Sequence, residues 1–379
     1  MAVSLKKNGF EVYYLLIGNK NEKGITKEGI NFEMLKLKTF SQNRYLNFVL
    51  KRLNPNNNYK KLYKKAASLH ADIYHLHDLN IIKIGKRIKD LSHKPIIIYD
   101  VHDPFSVNIK DYVGGQTNFK WIINLYAKYI NRFEKNKAKH YDLIITTEEN
   151  LKNEFQKYLP RNKVAIIYNY TYLHNFRTES IKKYDLIYCG GITEYRGAIK
   201  IIEAIHILKQ DFKNMKMIFL GTIFSAKLKE KMLHLIQKYD LEKNIELKNN
   251  VPYHDVVKYY NQSKIGLGIF LPIETHKIIL PIKLFEYMAM GLPIVASNFG
   301  HIHNYVLNDK VGVTVNSNKP NEIAKAVKEL LLNEKLYNSC KNNGIKAVEK
   351  KYAWSTMEKK LLLTYYELLK SRKQLNNGS

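Results

Sequence analysis

Short runs of almost wholly apolar residues, each closed by a polar or glycine turn and handed over to a helix, constrain this chain most. Pro95-Ile-Ile-Ile-Tyr-Asp-Val101 is one such run, and Tyr141-Asp-Leu-Ile-Ile-Thr-Thr147, Tyr184–Cys189 and Ile294-Val-Ala296 are others. A strand that is apolar on both faces has to be covered on both, the condition of a parallel sheet between helices. The alternation lapses at Asn169–Lys183, which lacks periodicity, and restarts at Tyr184. The 379 residues exceed the ~250–300 at which a single core stops growing. The expectation is an α/β chain of two doubly wound domains. The first spans 1–170, a linker 171–183 and the second 184–354, followed by a helix over 355–371 and a tail, 372–379.

One stretch of the second domain stands out. In Ile279-Leu-Pro-Ile-Lys-Leu-Phe-Glu-Tyr-Met-Ala-Met-Gly-Leu-Pro-Ile-Val-Ala-Ser297, Pro281 suits a first helical turn, Gly291 a helix stop, and Pro293 forbids resumption. Leu284, Phe285, Met288 and Ala289 follow core spacing. Lys283 and Glu286, three apart, share one side near the helix N-terminus. A helix N-terminus attracts phosphate, a lysine adds charge, and a carboxylate accepts sugar hydroxyls. The bland alternative is a capped helix with a solvated Lys and Glu. Gly190-Gly-Ile-Thr-Glu-Tyr-Arg-Gly197 follows the strand Tyr184–Cys189. Its glycines permit close backbone approach to a ligand, and Arg196 is placed to meet phosphate.

In the first domain two strands end in His-Asp pairs: His75, His77 and Asp78 after Ala71, and His102 and Asp103 after Pro95. Ligands of open α/β sheets bind at carboxyl ends of strands, so paired ends mark a site. A metal site is the rival reading, but no third ligand has regular spacing. Tyr45–Leu53 and Tyr59–Leu69 read as basic helices that suit anionic lipid or merely a solvated face. Asn118–Lys139 reads as a long helix whose aromatic face, Trp121, Tyr126, Tyr129 and Phe133, packs into the core. Lys23–Leu37 reads as an irregular stretch ending in a strand.

The net charge of +28, from 62 Lys+Arg against 34 Asp+Glu, favours polyanionic partners. The lysines are scattered and form no stripe with interleaved aromatics, which argues against nucleic acid. Cys189 and Cys340 make neither a disulfide framework nor a zinc spacing, so a reducing cytoplasm is expected. No apolar run approaches the ~18 residues of a membrane span. Met1–Lys7 reads as the end of a helix and Phe10–Ile17 as a strand. A doubly wound domain opens instead with a strand and ligand loop. The expectation is that this piece lies upstream of Met1 and leaves an open slot in the sheet.

Tyr74-His-Leu-His-Asp78, Tyr99-Asp-Val-His-Asp103, the 190–197 turn and Pro281–Pro293 together resemble the bacterial family 4 glycosyltransferases over almost the whole chain. The resemblance implies the GT-B fold, two facing Rossmann-like domains with a last helix crossing back to the first. It implies transfer from a nucleotide sugar, retaining and metal-independent, with no cofactor. It assigns His102, Arg196 and Lys283 to catalysis and Gly190, Gly191, Ile282, Leu284 and Glu286 to the donor. His77, Asp78 and Asp103 fall on the acceptor side. The implied partners are a glycan or polyprenyl-phosphate-linked acceptor of surface polysaccharide assembly and an anionic inner-membrane face. The sequence departs from the family at Ile278, where a first glutamate is usual and Glu274 or His276 could stand in, and at Gly191, often arginine. Rivals are a nucleotide-sugar 2-epimerase of the same fold, an inactive nucleotide-binding fragment, and a basic nucleic-acid-binding protein.

Overall fold

The computed structural model describes residues 1–36, 56–112, 119–172 and 176–377. The basic segment Tyr45–Leu53 lies outside them. Two compact units divide the chain: Met1–Tyr168 with Met357–Ser379, and Asn169–Thr356.

Unit 1 opens with the helix Ala2–Lys7, stopped at Gly9 in a left-handed conformation that glycine adopts without cost. Its strands form two sheets. One has the order β1-β3-β2, from β1 (Tyr13–Gly18), β2 (Glu22–Ile25) and β3 (Asn31–Lys36). The irregular stretch expected after Lys23 is thus in part β2, antiparallel to β3. The other sheet, all parallel, has the order β4-β5-β6-β7: Ile73–His77, Ile96–Val101, Leu143–Thr146 and Val164–Ile166. β1 and β4 are each an edge among the described residues. Every residue of β5 is buried, as its apolar run requires.

Unit 2 holds one parallel sheet of order β10-β9-β8-β11-β12-β13. Its strands are β8 (Tyr184–Cys189), β9 (Met217–Leu220), β10 (Ile245–Lys248), β11 (Ser263–Gly268), β12 (Ile294–Ser297) and β13 (Gly312–Val315). Alternation along β8 sends Leu186 and Tyr188 into one hydrophobic cluster and Ile187 and Cys189 into another. Both faces are therefore covered, which is why β8 has no polar-out pattern. Winding reverses between β8 and β11, so the crevice at their carboxyl ends is the topological switch point where such sheets bind ligands. The last helix, Trp354–Asn377, starts in unit 2 and belongs to unit 1 from Met357 onward. In unit 1, Arg372 of this helix donates to the carbonyls of Asp72 and His93.

The aromatic helix differs from its expectation. Lys120–Ala138 buries Ala127, Ile130, Glu134 and Ala138, while Trp121 and Tyr129 are exposed and Tyr126 and Phe133 half-buried. Ala127, Ile130 and Ala138 of this stripe join the hydrophobic cluster of unit 1, and the Tyr99 hydroxyl donates to Glu134 Oε1 at 2.6 Å. A buried hydrogen-bonded carboxylate wins over an aromatic stripe here because the acid is satisfied.

Candidate active site

In unit 2 the site begins at the end of β8. Gly190 (φ +113°) and Gly221 (φ +153°), which follows β9, press together: a Cβ on Gly221 would lie 1.9 Å from the Gly190 carbonyl oxygen. Gly197 (φ +74°) starts the helix Ala198–Leu208, and a Cβ there would meet Ile269 at 2.6 Å. Only glycine fits these turns. Between them Thr193 caps the turn by accepting from the Arg196 N–H. The Arg196 guanidinium folds back over Gly191, with Nη1 3.4 Å from its carbonyl oxygen.

The helix Ile282–Ala289 brings the other two groups. Pro281 is its N-cap residue, Gly291 takes φ +67°, and no side chain caps the first turn. Lys283 and Glu286 are both buried, which contradicts the solvated alternative. Lys283 Nζ sits 3.5 Å over the Tyr188 ring and has no hydrogen-bond partner among the described residues. It also lies 3.6 Å from where a Gly190 Cβ would be. Burial, with repulsion from Arg196, lowers its ammonium pKa to about 7. Glu286 accepts from Tyr253 at Oε1 (2.7 Å) and from Tyr260 at Oε2 (2.6 Å). Gly190, Gly191, Arg196, Lys283 and Glu286 thus cluster at the switch point of one sheet.

Other expected donor contacts separate. Ile282 is exposed at the start of the helix, but the Leu284 side chain is fully buried in the core and its N–H is spent on the Pro281 carbonyl. Neither stand-in for the absent glutamate is a free acid at the site. Glu274 pairs with Lys277, and buried His276 bonds the Leu271 carbonyl (2.9 Å) and meets the Phe270 ring edge-on.

Unit 1 has a second constellation. Asp100, fully buried on β5, points Oδ2 at three imidazoles, each 3.0 Å away: His75 Nε2, His77 Nδ1 and His102 Nε2. The pairing His77↔Asp100 between β4 and β5 sets this convergence. His75 is further held by the Tyr365 hydroxyl at 2.6 Å from Nδ1. Burial opposes ionisation of Asp100, but the three histidine bonds outweigh it and hold the carboxyl well below its usual range. Burial likewise lowers His102, yet its bond to Asp100 raises it on balance. His75, buried more deeply, is lowered. Asp78 takes a left-handed φ of +65°, donates its N–H to the Asp100 carbonyl, and is raised by burial. Asp103 is exposed. His75, His77 and Asp100 present ligand atoms within 4.8 Å of one another and are the described residues that could hold a metal.

Asp100, Tyr253 and Tyr260 were missed in the sequence. Asp100 had a signal, being the lone acid in an apolar strand and two residues before His102, hence on the same face. The tyrosines had none, since they lie 33 and 26 residues from Glu286. Asp100→Asn is expected to lower stability by about 3 kcal/mol at pH 7, measured by urea unfolding. The depressed carboxyl stabilises the fold above its unfolded pKa of ~3.9, and that contribution is lost as pH falls through the lower folded value. The wild type should therefore show an acid loss below pH ~4 that the variant lacks.

Residues 1–171 match the family described as Glycosyltransferase Family 4, and residues 173–347 match Glycosyl transferases group 1. The two meet near the boundary of the units. The chain belongs to the family 4 glycosyltransferases. It is 21% identical over 372 residues to the uncharacterized glycosyltransferase MJ1178 of Methanocaldococcus jannaschii, covering 94% of this chain and 97% of that one. It is 23% identical over 183 residues to the capsular polysaccharide biosynthesis glycosyltransferase CapM of Staphylococcus aureus, covering 48% and 46%. Anabaena HepE, solved with UDP-glucose, superposes with a TM-score of 0.70 at 13% identity, covering 94% of this chain and 99% of that one. This family 4 transferase therefore has the GT-B fold of two Rossmann-like domains, and it is an enzyme of glycosyl transfer. No helix among its described residues is long and apolar enough to cross a membrane.

Proposed function

We propose that this transferase moves a sugar from a nucleotide-sugar donor to a glycan carried on a polyprenyl phosphate, in surface polysaccharide assembly at an anionic inner-membrane face. The observation that carries the donor reading is Lys283: a buried, unbonded amine beside a Gly-Gly turn and an arginine. Such a group is costly unless an anion completes it. A diphosphate lying on the Gly190–Gly191 turn would accept from Lys283 and Arg196. Each Glu286 oxygen accepts one tyrosine hydroxyl and keeps a lone pair for a ribose hydroxyl.

In this mechanism Arg196 and Lys283 meet the charge that grows on the leaving diphosphate. His102, oriented by Asp100, is assigned to the donor sugar. The acceptor oxygen bonds to the anomeric carbon on the leaving group's side as the bond to the diphosphate breaks, and the hydroxyl proton passes to a phosphate oxygen, with retention. His77, Asp78 and Asp103 serve the acceptor. The cations of unit 2 do the work of a metal, with no cofactor. The UDP-glucose in HepE and the capsular role in CapM's name support the donor and acceptor classes.

Two results are expected. Glu286→Gln raises donor KM by roughly 10–100-fold, with kcat changed less, from a lost charged hydrogen bond of ~1.5–3 kcal/mol. EDTA leaves turnover unchanged; a loss restored by zinc would assign His75, His77 and Asp100 to a metal instead. The deciding assay offers a panel of nucleotide sugars with and without a lipid-linked glycan. Extended glycan with the donor's anomeric configuration supports the proposal. An epimerised donor formed without acceptor would establish the epimerase.

A further inference from the structure

We propose that the outward face of the helix Lys120–Ala138 docks on an anionic lipid bilayer, its aromatic first half entering the headgroup boundary and its basic second half holding a lipid phosphate. This rests on the membrane-facing part of the reading above, and it names the surface. Trp121, Leu125 and Tyr129 follow one another at four-residue steps and are 64%, 57% and 61% exposed. They form one stripe opposite the buried Ala127, Ile130, Glu134 and Ala138. Exposed aromatics at this spacing are not scattered single residues but a patch, and patches mark interaction surfaces.

The same outward face changes character along its length. Lys128, Arg132, Lys135 and Lys139, with Tyr158, line an open cavity of about 300 Å³. Lys135 Nζ lies 5.1 Å from the Tyr158 ring centre. None of the four cations has a carboxylate partner among the described residues, and the cavity lining carries no acid. The helix's one acid, Glu134, is turned inward onto Tyr99. The cations therefore have no internal counter-charge among the described residues and complement an anion from outside.

The arrangement selects a lipid surface. Single-stranded nucleic acid needs aromatics interleaved with cations along a groove. Here the exposed apolar stripe runs over Trp121–Tyr129 and the cavity cations over Lys128–Lys139, meeting only at Lys128 and Tyr129 of a helix ~28 Å long. Trp and Tyr prefer the headgroup level, where one end of the ring is apolar and the other wet. Basic residues beside them gain from the negative potential of anionic lipid. Docking thus requires both halves and falls with salt.

The test is flotation of the full chain with phosphatidylcholine vesicles, with and without phosphatidylglycerol, at two salt concentrations. A Trp354→Phe background leaves Trp121 as the reporter, because the chain has two tryptophans. Binding is expected only with phosphatidylglycerol, weaker at high salt, with a blue shift of Trp121 emission. Arg132→Glu with Lys135→Glu should weaken binding at least ~tenfold. Trp121→Ala with Tyr129→Ala should weaken it comparably while donor binding stays intact. Trp121 and Tyr129 are exposed and Arg132 and Lys135 line the open cavity, and unchanged Tm, in the Trp354→Phe background as well, verifies folding. The proposal is overturned by equal binding of wild type and variants, by no vesicle binding, or by capture of inorganic phosphate or oligonucleotide alone. It is also overturned if the aromatic variant dissolves a dimer in the absence of lipid, which would make this face a contact between copies. Vesicle binding without nucleotide-sugar binding would instead sink the donor reading and leave the docking intact.

Discussion

Arg196→Ala is expected to slow transfer by about 10²–10³-fold, the usual effect of removing one preorganised partner of developing charge. The side chain is half-buried, and its only side-chain hydrogen bond among the described residues is a long one, 3.4 Å to the Gly191 carbonyl. That bond is too weak to be the reason for a half-buried guanidinium. The arginine therefore has most of its donor capacity available for a phosphate, and it fixes a fork geometry that lysine cannot supply. Donor KM should change less than kcat, because the diphosphate carries more charge as it leaves than while bound to sugar. Stability should hardly change, since the 193–197 turn is held by Thr193 and backbone bonds that the variant keeps. An equal loss of kcat/KM through KM alone would reassign Arg196 to ground-state binding.

Lys283 should make donor affinity depend on pH near neutrality. In the free protein its ammonium titrates at about 7, lowered by burial and by Arg196. A bound diphosphate favours the charged amine and raises that value. The sign then follows. Below about pH 7 the lysine is already charged and affinity is flat. Above it, binding must take up a proton, and affinity falls by up to ~tenfold per pH unit until the bound-state value is reached. A nucleotide sugar is the right probe, because its diphosphate is esterified at both ends and has no phosphate proton near neutrality. Kd measured calorimetrically from pH 6.5 to 8.5 should weaken by about tenfold or more. Heats in buffers of different ionisation enthalpy should show net proton uptake. In Lys283→Met the affinity should be lower by roughly 10²-fold and the pH dependence flat. A flat profile in the wild type would remove Lys283 from the diphosphate site.

The helix Ile282–Ala289 was legible because local chemistry and tertiary use agree. Proline before it, glycine at φ +67° after it and a second proline leave few other conformations. That Lys283 and Glu286 face inward was not legible. A three-residue spacing puts two side chains on one side, but only the other elements decide whether that side is wet. Tyr188 and Phe270 shelter the lysine, and Tyr253 and Tyr260 engage the glutamate. The His-Asp pairs were visible at two strand ends, whereas their convergence on Asp100 depends on the β4–β5 register, which no local pattern states. Along Lys120–Ala138 the periodicity announced two stripes. Which one faced the core was settled by Glu134 finding Tyr99, a contact 35 residues away. β2 escaped notice because Glu22–Ile25 has no apolar alternation and is defined by its backbone pairing with β3.

The most direct test of the account is a thermal shift of the full chain with a panel of nucleotide sugars, repeated on Arg196→Ala, Lys283→Met and Glu286→Gln. The account predicts that at least one nucleotide sugar raises the wild-type Tm, by RT ln(1 + [L]/Kd) in stability. It predicts that the shift shrinks in Lys283→Met and Glu286→Gln although each variant melts cooperatively on its own. An undiminished shift in both would contradict a diphosphate site built on the β8 turn and the Ile282–Ala289 helix.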